Sequence, residues 1–350
     1  MTSSTTGPSI TGPVKITGPL SIADLLDRTF RALRARFGVL MLSAAIVMVP
    51  VGLLASLVTG RFMTGYFDLL ELATLPPDAA QPELEAFFGE FAGYFGVLML
   101  LLLFNLLGTV LVNLMSIYHI DRFLHGASST VSEGLHVALR RILPMIGMRF
   151  LYLMAAGTAT VAIAFVVALL FALVALVFSG AMAGIGNESA SAILIVGFVL
   201  LFIVGYFVLI LLVLAPIVYF AARWVAAGPS LVIEGLGPVK ALGRSWALTK
   251  GRLWRCIIFI VLLSIFSAVV ISLPLAVTQQ VAMILLPSQL DLILVLSTVA
   301  GYLLNLLYQP FYATGVVMLY YDLRVRAEAY DVALRVAALE DELAKDATAA

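Results

Sequence analysis

Residues 191–223, SAILIVGFVLLFIVGYFVLILLVLAPIVYFAAR, run for 32 positions without an Asp, Glu, Lys or Arg before closing on Arg223. A helix needs about 20 apolar residues to cross roughly 30 Å of hydrocarbon, so this stretch reads as a transmembrane helix that tilts or projects beyond the lipid. Working outward, five more uncharged runs stand at 37–59, 93–118, 150–179, 256–275 and 292–319. A charge at mid-bilayer costs at least about 2.5 kcal/mol, and none of the six runs contains one. The composition agrees. Over 350 residues, 63% are hydrophobic and 11% charged, with a mean hydropathy of +1.11; a soluble domain carries about 25% charged residues. The expected fold is an all-α integral membrane protein of six transmembrane helices. The fifth run is the least regular. It meets Pro274, Gln279 and Gln280, then a second apolar patch from Val281 to Leu286 ahead of Pro287, which reads as a short span followed by a surface or re-entrant helix.

The cations sort the loops. Lys15, Arg28, Arg31, Arg34 and Arg36 precede the first run; Arg122, Arg140, Arg141 and Arg149 follow the second. Arg223, Lys240, Arg244, Lys250, Arg252 and Arg255 follow the fourth, and Arg324, Arg326, Arg335 and Lys345 follow the sixth, leaving Arg61 alone on the opposite side. That side is acidic, with Asp68, Glu71, Asp78, Glu83, Glu85, Glu90, Glu188 and Asp291. Under the positive-inside rule both termini are expected in the cytoplasm, with the chain in the cell (inner) membrane. Zero formal net charge excludes a nucleic-acid binder driven by a basic surface. Cys256 is the single cysteine, which excludes an intramolecular disulfide and a cysteine-based zinc site. No cofactor is expected.

Residues 1–19 repeat Thr-Gly-Pro at 6–8, 11–13 and 17–19, a tract with nothing to bury that reads as a disordered tail. The first apolar run is too long for a signal-peptide core, so no cleaved leader is expected. Residues 20–323 form the six-span domain. Residues 324–350 form a cytoplasmic helix and tail, with Arg324/Glu328 and Asp331/Arg335 at i,i+4 and Tyr330, Leu334 and Ala338 along one stripe.

The segments before the odd-numbered spans read as amphipathic interfacial helices. The first opens on Ser21 with Asp24 three later, a capping-box spacing, and aligns Leu26, Phe30, Leu33 and Phe37. The second opens on Thr130 and Glu133 and aligns Leu135, Leu139 and Ile142. The third opens at Gly237-Pro238, with proline at the first helical position, and sets Val239, Leu242 and Trp246 against Lys240, Arg244 and Lys250. Such helices lie in the headgroup layer with arginines toward phosphates. Tyr118, Tyr219 and Tyr320 recur at intervals of 101 residues, and each is followed four later by an arginine: Arg122, Arg223 and Arg324. These pairs suit interface anchoring, with the guanidinium snorkelling into water. One reading is three parallel two-span repeats. The other is that inward helix ends favour Tyr and Arg in general.

The stretches PLSIADLLDRTFRALRARF at 19–37, PSLVIEGLGPVKALGRSWALTKGRLWRC at 229–256 and LYYDLRVRAEAYD at 319–331 resemble the bacterial family called glycerophosphoryl diester phosphodiesterase membrane domain. The resemblance extends over the chain apart from the Thr-Gly-Pro tail and the last residues. It rests on the Glu-Gly, Arg-Ser-Trp and Tyr-Tyr-Asp-Leu-Arg elements, and it implies a six-span membrane domain without an assigned activity of its own. A phosphodiesterase barrel needs about 250 residues and clustered carboxylates and histidines. About thirty residues follow the last span, so the chain is not expected to be the hydrolase.

Candidate sites follow from polar residues near or within the spans. Glu234 with Arg244 is a structural pair that pins the third surface helix, worth under about 1 kcal/mol if loose. Arg244, Lys250, Arg252 and Arg255 read either as headgroup or anion contacts or as ordinary positive-inside anchoring. Asn105, Asn305 and Gln309 are candidate cavity residues; with Asn113 they serve equally as interhelical glue. Pro50, Pro216 and Pro310 interrupt spans, and Gln309-Pro310 frees backbone carbonyls where transporters place broken helices. His119, Asp121, His125, Glu133 and His136 share one connection, but their spacing matches no compact metal motif, and no metal is expected. Pro82, Glu83, Glu85, Phe87, Phe88, Glu90 and Phe91 read as an acidic amphipathic helix leading into the second span. With no carboxylate or lysine inside a span, ion-coupled transport has no evident carrier. Two functions remain open. One is a non-enzymatic scaffold or accessory domain presenting lipid or a lipid-derived ligand to a membrane or cytoplasmic partner. The other is a facilitative transporter or lipid-moving channel with a polar cavity near Gln309. The expected partners are membrane lipids and a second protein, not nucleic acid.

Overall fold

The computed structural model describes residues 18–72, 77–183, 188–330, 332 and 336. At 60–72, 77–92, 94, 188–193, 271, 287 and 291 the description covers the backbone alone. Every regular element among these residues is helical. They are α1 (Ile22–Ala35), α2 (Phe37–Leu72), α3 (Pro77–Leu124), α4 (Val131–Ala183), α5 (Glu188–Arg223), α6 (Ala227–Ile233), α7 (Pro238–Thr249), α8 (Leu253–Ser267), α9 (Leu273–Leu285) and α10 (Leu290–Glu328). Six helical stretches are long and apolar enough to cross a membrane: Phe37–Thr59, Phe95–Leu124, Val131–Ala183, Leu194–Ile233, Leu253–Leu285 and Leu292–Glu328. The chain is a multi-pass, six-span, all-α membrane protein. The first two Thr-Gly-Pro repeats, Thr17, Asp331, Leu334, Arg335 and Ala338 lie outside the described residues, as do the side chains of the acidic stretch at 82–91. That stretch is helical in its backbone and continues without a break into the second span.

Where helices begin and end departs from expectation in places. The second interfacial helix is not separate: α4 runs unbroken for 53 residues, about 80 Å at 1.5 Å per residue, through Pro144 into the third span. A threefold scheme of surface helix and two spans is therefore seen as distinct elements in the first and third copies only. The helix expected from Arg324 begins as the last turn of α10 and is interrupted at Ala329, which turns left-handed at φ 50°; Tyr330, Val332 and Val336 beyond it are again helical. The fifth run does not stop short. Leu253–Leu285 is one helical path, because Ala268–Ser272 widens into a π-helical turn just ahead of Pro274. In an unbroken α-helix that proline would leave the residue 270 carbonyl without a donor and strike it with its ring; the wider turn absorbs both.

The spans form a ring in chain order. α2 packs on α3, α3 on α4, α4 on α5 and α5 on α8, while α10 closes against α8, α9 and α2 and crosses to α3. Close approach of α2 and α10 depends on Gly52, where an added Cβ would lie 2.8 Å from Tyr302 Cγ and 2.9 Å from its Cβ. Small residues serve the same purpose at helix contacts throughout membrane proteins, where dispersion must replace the hydrophobic effect.

The packed core sits at one end, where α1, α6 and α7 join the ends of α3, α4, α8 and α10. Leu25, Leu114, Ile117, Met145, Leu231, Leu248, Phe259 and Tyr320 are buried there in a single cluster. We call this the basic end. Away from it the spans expose Leu, Val, Ile and Phe, a surface that only hydrocarbon can cover. Two amphipathic faces differ from the expected ones. α1 buries Leu25, Thr29 and Ala32, one position off the predicted stripe, leaving Phe30 41% exposed beside Phe266 and Phe311, both 5.2 Å away by ring centroid. α7 buries Ala241, Leu242, Ser245, Leu248 and Thr249 and leaves Val239 71% exposed. Both helices turn small residues, Ala32, Ala241 and Ser245, to the protein beside their buried leucines, which lets backbones approach, while Phe30 and Val239 stay exposed.

Candidate functional site

The elements that carried the family resemblance converge at the basic end. Glu234 closes α6. The next residue, Gly235, has φ +70°, a conformation that costs glycine little, and its carbonyl accepts from Arg141 Nη1 at 3.1 Å. Arg244 Nε on α7 donates to Glu234 Oε1 and Oε2 at 3.0 and 2.9 Å, and its Nη1 donates to Glu328 at the end of α10. Tyr320 Oη donates to Glu234 Oε1 at 2.6 Å. One carboxylate thus ties α6 to α7 and α10. Ser245 Oγ donates to the Arg223 carbonyl at 2.8 Å and accepts from the Ala226 amide at 3.1 Å, fastening α7 across the end of α5.

A second knot forms around Asp322, whose side chain is fully buried. It accepts from Leu20 N at 2.8 Å, Arg255 Nε at 2.8 Å and Arg326 Nε at 3.0 Å. The Leu20 carbonyl accepts in turn from Arg255 and from Arg326, the latter at 2.6 Å. The segment leading into α1 is strapped to α8 and α10 by a carboxylate and two guanidiniums.

These contacts engage most of the cations read as anion contacts. Arg244 is committed to two carboxylates, Arg252 donates to the Arg326 carbonyl at 2.6 Å, and Arg255 serves Asp322; Lys250 is exposed at the end of α7. The Tyr–Arg pairs divide. Arg223 lies 4.7 Å from the Trp246 ring and 5.5 Å from Tyr219, and Arg324 lies 3.9 Å from Tyr330 and 5.7 Å from Tyr320. Tyr118 reaches Glu133 at 3.4 Å, and Arg122 is exposed one turn on. Tyr320 corrects the anchor reading: at 0% exposure it is a core residue, drawn inward by Glu234.

The histidines do not assemble. Buried His119 sits between Ser43 Oγ at 3.1 Å and Ser129 Oγ at 2.8 Å, while His125 Nδ1 contacts the Asp121 carbonyl at 2.8 Å. Among the described residues no group of His, Cys, Asp or Glu could hold a metal. Of the candidate cavity residues, Asn105 Nδ2 donates to Tyr302 Oη at 3.0 Å, bridging α3 and α10. Asn305 and Gln309 are half-buried on α10.

A larger cleft among the described residues lies elsewhere. It measures about 290 Å³ and opens between the basic-end portions of α3, α4, α5, α6, α7 and α10. Its polar lining is Asn113, Arg149, Tyr152, Trp224 and Tyr312, set among apolar side chains such as Met145 and Met148, with no Asp or Glu. Asn105, Asn305 and Gln309 take no part in it. Tyr152 Oη donates weakly to the Ile217 carbonyl at 3.4 Å, and its ring meets Trp224 edge-on at 5.9 Å. Arg149, Asn113 and the Tyr312 hydroxyl make no side-chain hydrogen bond or ion pair among the described residues. Arg149 is partly exposed and faces this open cleft, where a guanidinium without a carboxylate partner is free to pair with an anion. Sequence reading counted Arg149 only as a loop cation and Asn113 only as glue. The missed signal was the position of Arg149: it is the last cation before the third span, beyond Pro144 and with no acidic residue within a turn.

A six-helix, multi-pass membrane domain with its polar chemistry gathered at one end is the class these features define. The family model for the membrane domain of glycerophosphoryl diester phosphodiesterase matches residues 195–333, from within α5 to just past α10. That match contains two of the three resembling stretches; residues 19–37 lie outside it. The matched family is the membrane part of that enzyme and not its catalytic domain. No curated protein and no solved structure matches the chain.

Proposed function

We propose that this chain is a non-enzymatic accessory membrane domain that holds a lipid or lipid-derived anionic ligand at its cytoplasmic end and presents it to a partner protein. One observation carries the reading: the cavity of about 290 Å³ around Arg149, whose lining offers a cation and unpartnered donors but no carboxylate. The sorting of nineteen cations to one side supports a cytoplasmic placement of that end under the positive-inside rule. Ligand-holding is favoured over transport because Asn105 is occupied by Tyr302 and Gln309 lies away from the cavity lining; a transport route would need polar groups continuing past both.

Native mass spectrometry of the purified protein, with flux measured in reconstituted vesicles, tests this. A retained lipid-derived mass is expected, reduced when Gly228→Leu fills the cavity, together with no solute or lipid movement above empty vesicles. An unliganded protein, or flux that Gly228→Leu abolishes, would overturn it.

A further inference from the structure

We infer that the cleft is loaded sideways from the bilayer, and that its ligand is a membrane-dissolved amphiphile whose head enters the cleft while its hydrocarbon tail stays in a gap beside α5. The inference deepens the ligand-holding reading above and rests on it.

The gap follows from the pattern of exposure. On α4, residues 161–180 are exposed apart from Ile163, Ala164, Val167, Phe171 and Phe178. On α5, residues 194–214 are exposed apart from Phe198, Gly205, Leu209 and Val213. Each set forms one stripe at helical spacing, and the two stripes close on each other. The Phe178 and Phe198 rings stack at 4.0 Å, and Phe171 fits against Gly205, where an added Cβ would lie 2.5 Å from its Cζ. Over about 20 residues, or roughly 30 Å of helix, the third and fourth spans therefore rest on each other and not on the other four. That length matches the hydrocarbon layer. Burial returns on α5 at Pro216, toward the end where α5 meets α7 and α8. The space between this hairpin and the rest of the bundle is continuous with the lipid-facing surface, and hydrocarbon chains are its natural filling.

The cleft sits at the root of that gap. Toward the basic end it is roofed by α6 and α7, whose Ala227, Leu231, Ala241 and Leu242 belong to the packed core. Away from that end its walls run on as lipid-facing residues. Leu106 lies two turns from Asn113 on the same face of α3, and Ile217 and Leu214 lie one and two turns from Ala221 on α5; all three are exposed. Asn113, Arg149, Tyr152 and Tyr312 line the cleft with polar groups that can take a head. Its volume of about 290 Å³ stands at the small end of ligand sites, about 300 Å³ and upward, which leaves no room for a long chain. A tail that remains in the gap never leaves hydrocarbon. An amphiphile arriving from the cytoplasmic side would have to carry its tail through water, which the hydrophobic effect opposes.

Tryptophan fluorescence of the full-length protein in lipid nanodiscs tests the route. In one chain Trp224 is the sole tryptophan, with Trp246 and Trp254 replaced by Phe. In a second, all three are Phe and Tyr312→Trp puts the reporter on the α10 wall, so that a folding fault in one leaves the other. Stearate spin-labelled at carbon 5 is the quencher dissolved in the bilayer, and acrylamide is the quencher in water. In the same all-Phe background, Leu169→Trp on the exposed flank of the hairpin and Phe259→Trp in the core set the limits of full and no access. Both reporters should lose emission to the spin label almost as Leu169→Trp does, and lose less to acrylamide. Native mass spectrometry should find a retained species that carries a long hydrocarbon chain. Acrylamide quenching equal to or above that of the spin label overturns the lateral route, as does a retained ligand without such a chain; either result with a retained mass leaves the ligand-holding reading standing. No retained mass would remove both.

Discussion

His125 shows how one side chain registers its surroundings. It follows the end of α3, with Nδ1 2.8 Å from the Asp121 carbonyl and 3.4 Å from its carboxylate. The hydrogen bond to the Asp121 side chain outweighs partial burial and raises the imidazole pKa above its ordinary 6.5. A raised folded value means the contact favours the protonated form. Its contribution to stability is therefore complete below about pH 6.5 and fades as pH climbs through the folded value. Histidine NMR should give a titration midpoint above 6.5 for His125, moving down in Asp121→Asn; a midpoint at or under 6.5 in the parent would refute the contact. The opposite sign holds at Asp24, whose carboxyl is pulled down by hydrogen bonds from the Ser21 side chain and amide. That capping box fixes the start of α1, and its benefit is lost as pH falls toward the carboxyl range.

Between elements, the strongest coupling is the Asp322 knot. Leu20 lies 302 positions from Asp322 in sequence, yet its amide and carbonyl are both bound there, so α1 is fixed to α8 and α10 by polar contacts as well as by packing. Removing one partner of a buried ion pair typically costs about 3–5 kcal/mol, because the remaining charges lose their compensation. Asp322→Ala should lower stability in detergent by that amount and free the α1 segment to protease, while Arg31→Ala, whose partner Asp27 is exposed, should change it by less than about 1 kcal/mol. Equal effects from the two substitutions would mean that Asp322 is not the strap. The same scale explains the displaced faces of α1 and α7. Periodicity ranks residues by size and hydropathy, whereas close packing at this end selected Ala32, Ala241 and Ser245, over which backbones can approach.

The whole molecule is a ring of spans with a packed, polar-knotted end and lipid-facing flanks. Its orientation is open to a direct check. Cys256 is fully buried, so it should stay silent to impermeant thiol reagents, and cysteines introduced at Lys250 and Glu83 report the two sides cleanly. In spheroplasts, Lys250→Cys should react only after the membrane is opened, and Glu83→Cys should react before. The reverse pattern would invert the molecule and move the cavity to the other face of the bilayer. Nineteen cations against one make the first outcome the expected one, since moving basic loops across the membrane is what the positive-inside rule disfavours.

Sequence by itself determined the number of spans and which loops carry the cations. Those depend on the cost of placing single residues in hydrocarbon, and that cost is local. It also picked out Glu234, Arg244, Tyr320 and Asp322 within recognisable stretches, though not that Tyr320 is buried. Only the tertiary structure decided which charges are matched. Arg244 and Arg255 resembled Arg149 as isolated letters, but the end of α6 and α10 bring carboxylates to the first two, and the cleft beside Arg149 is lined by none. Pairing depends on distances between elements far apart in the chain, which no span-by-span energy contains, and for that reason the cavity emerged from packing alone.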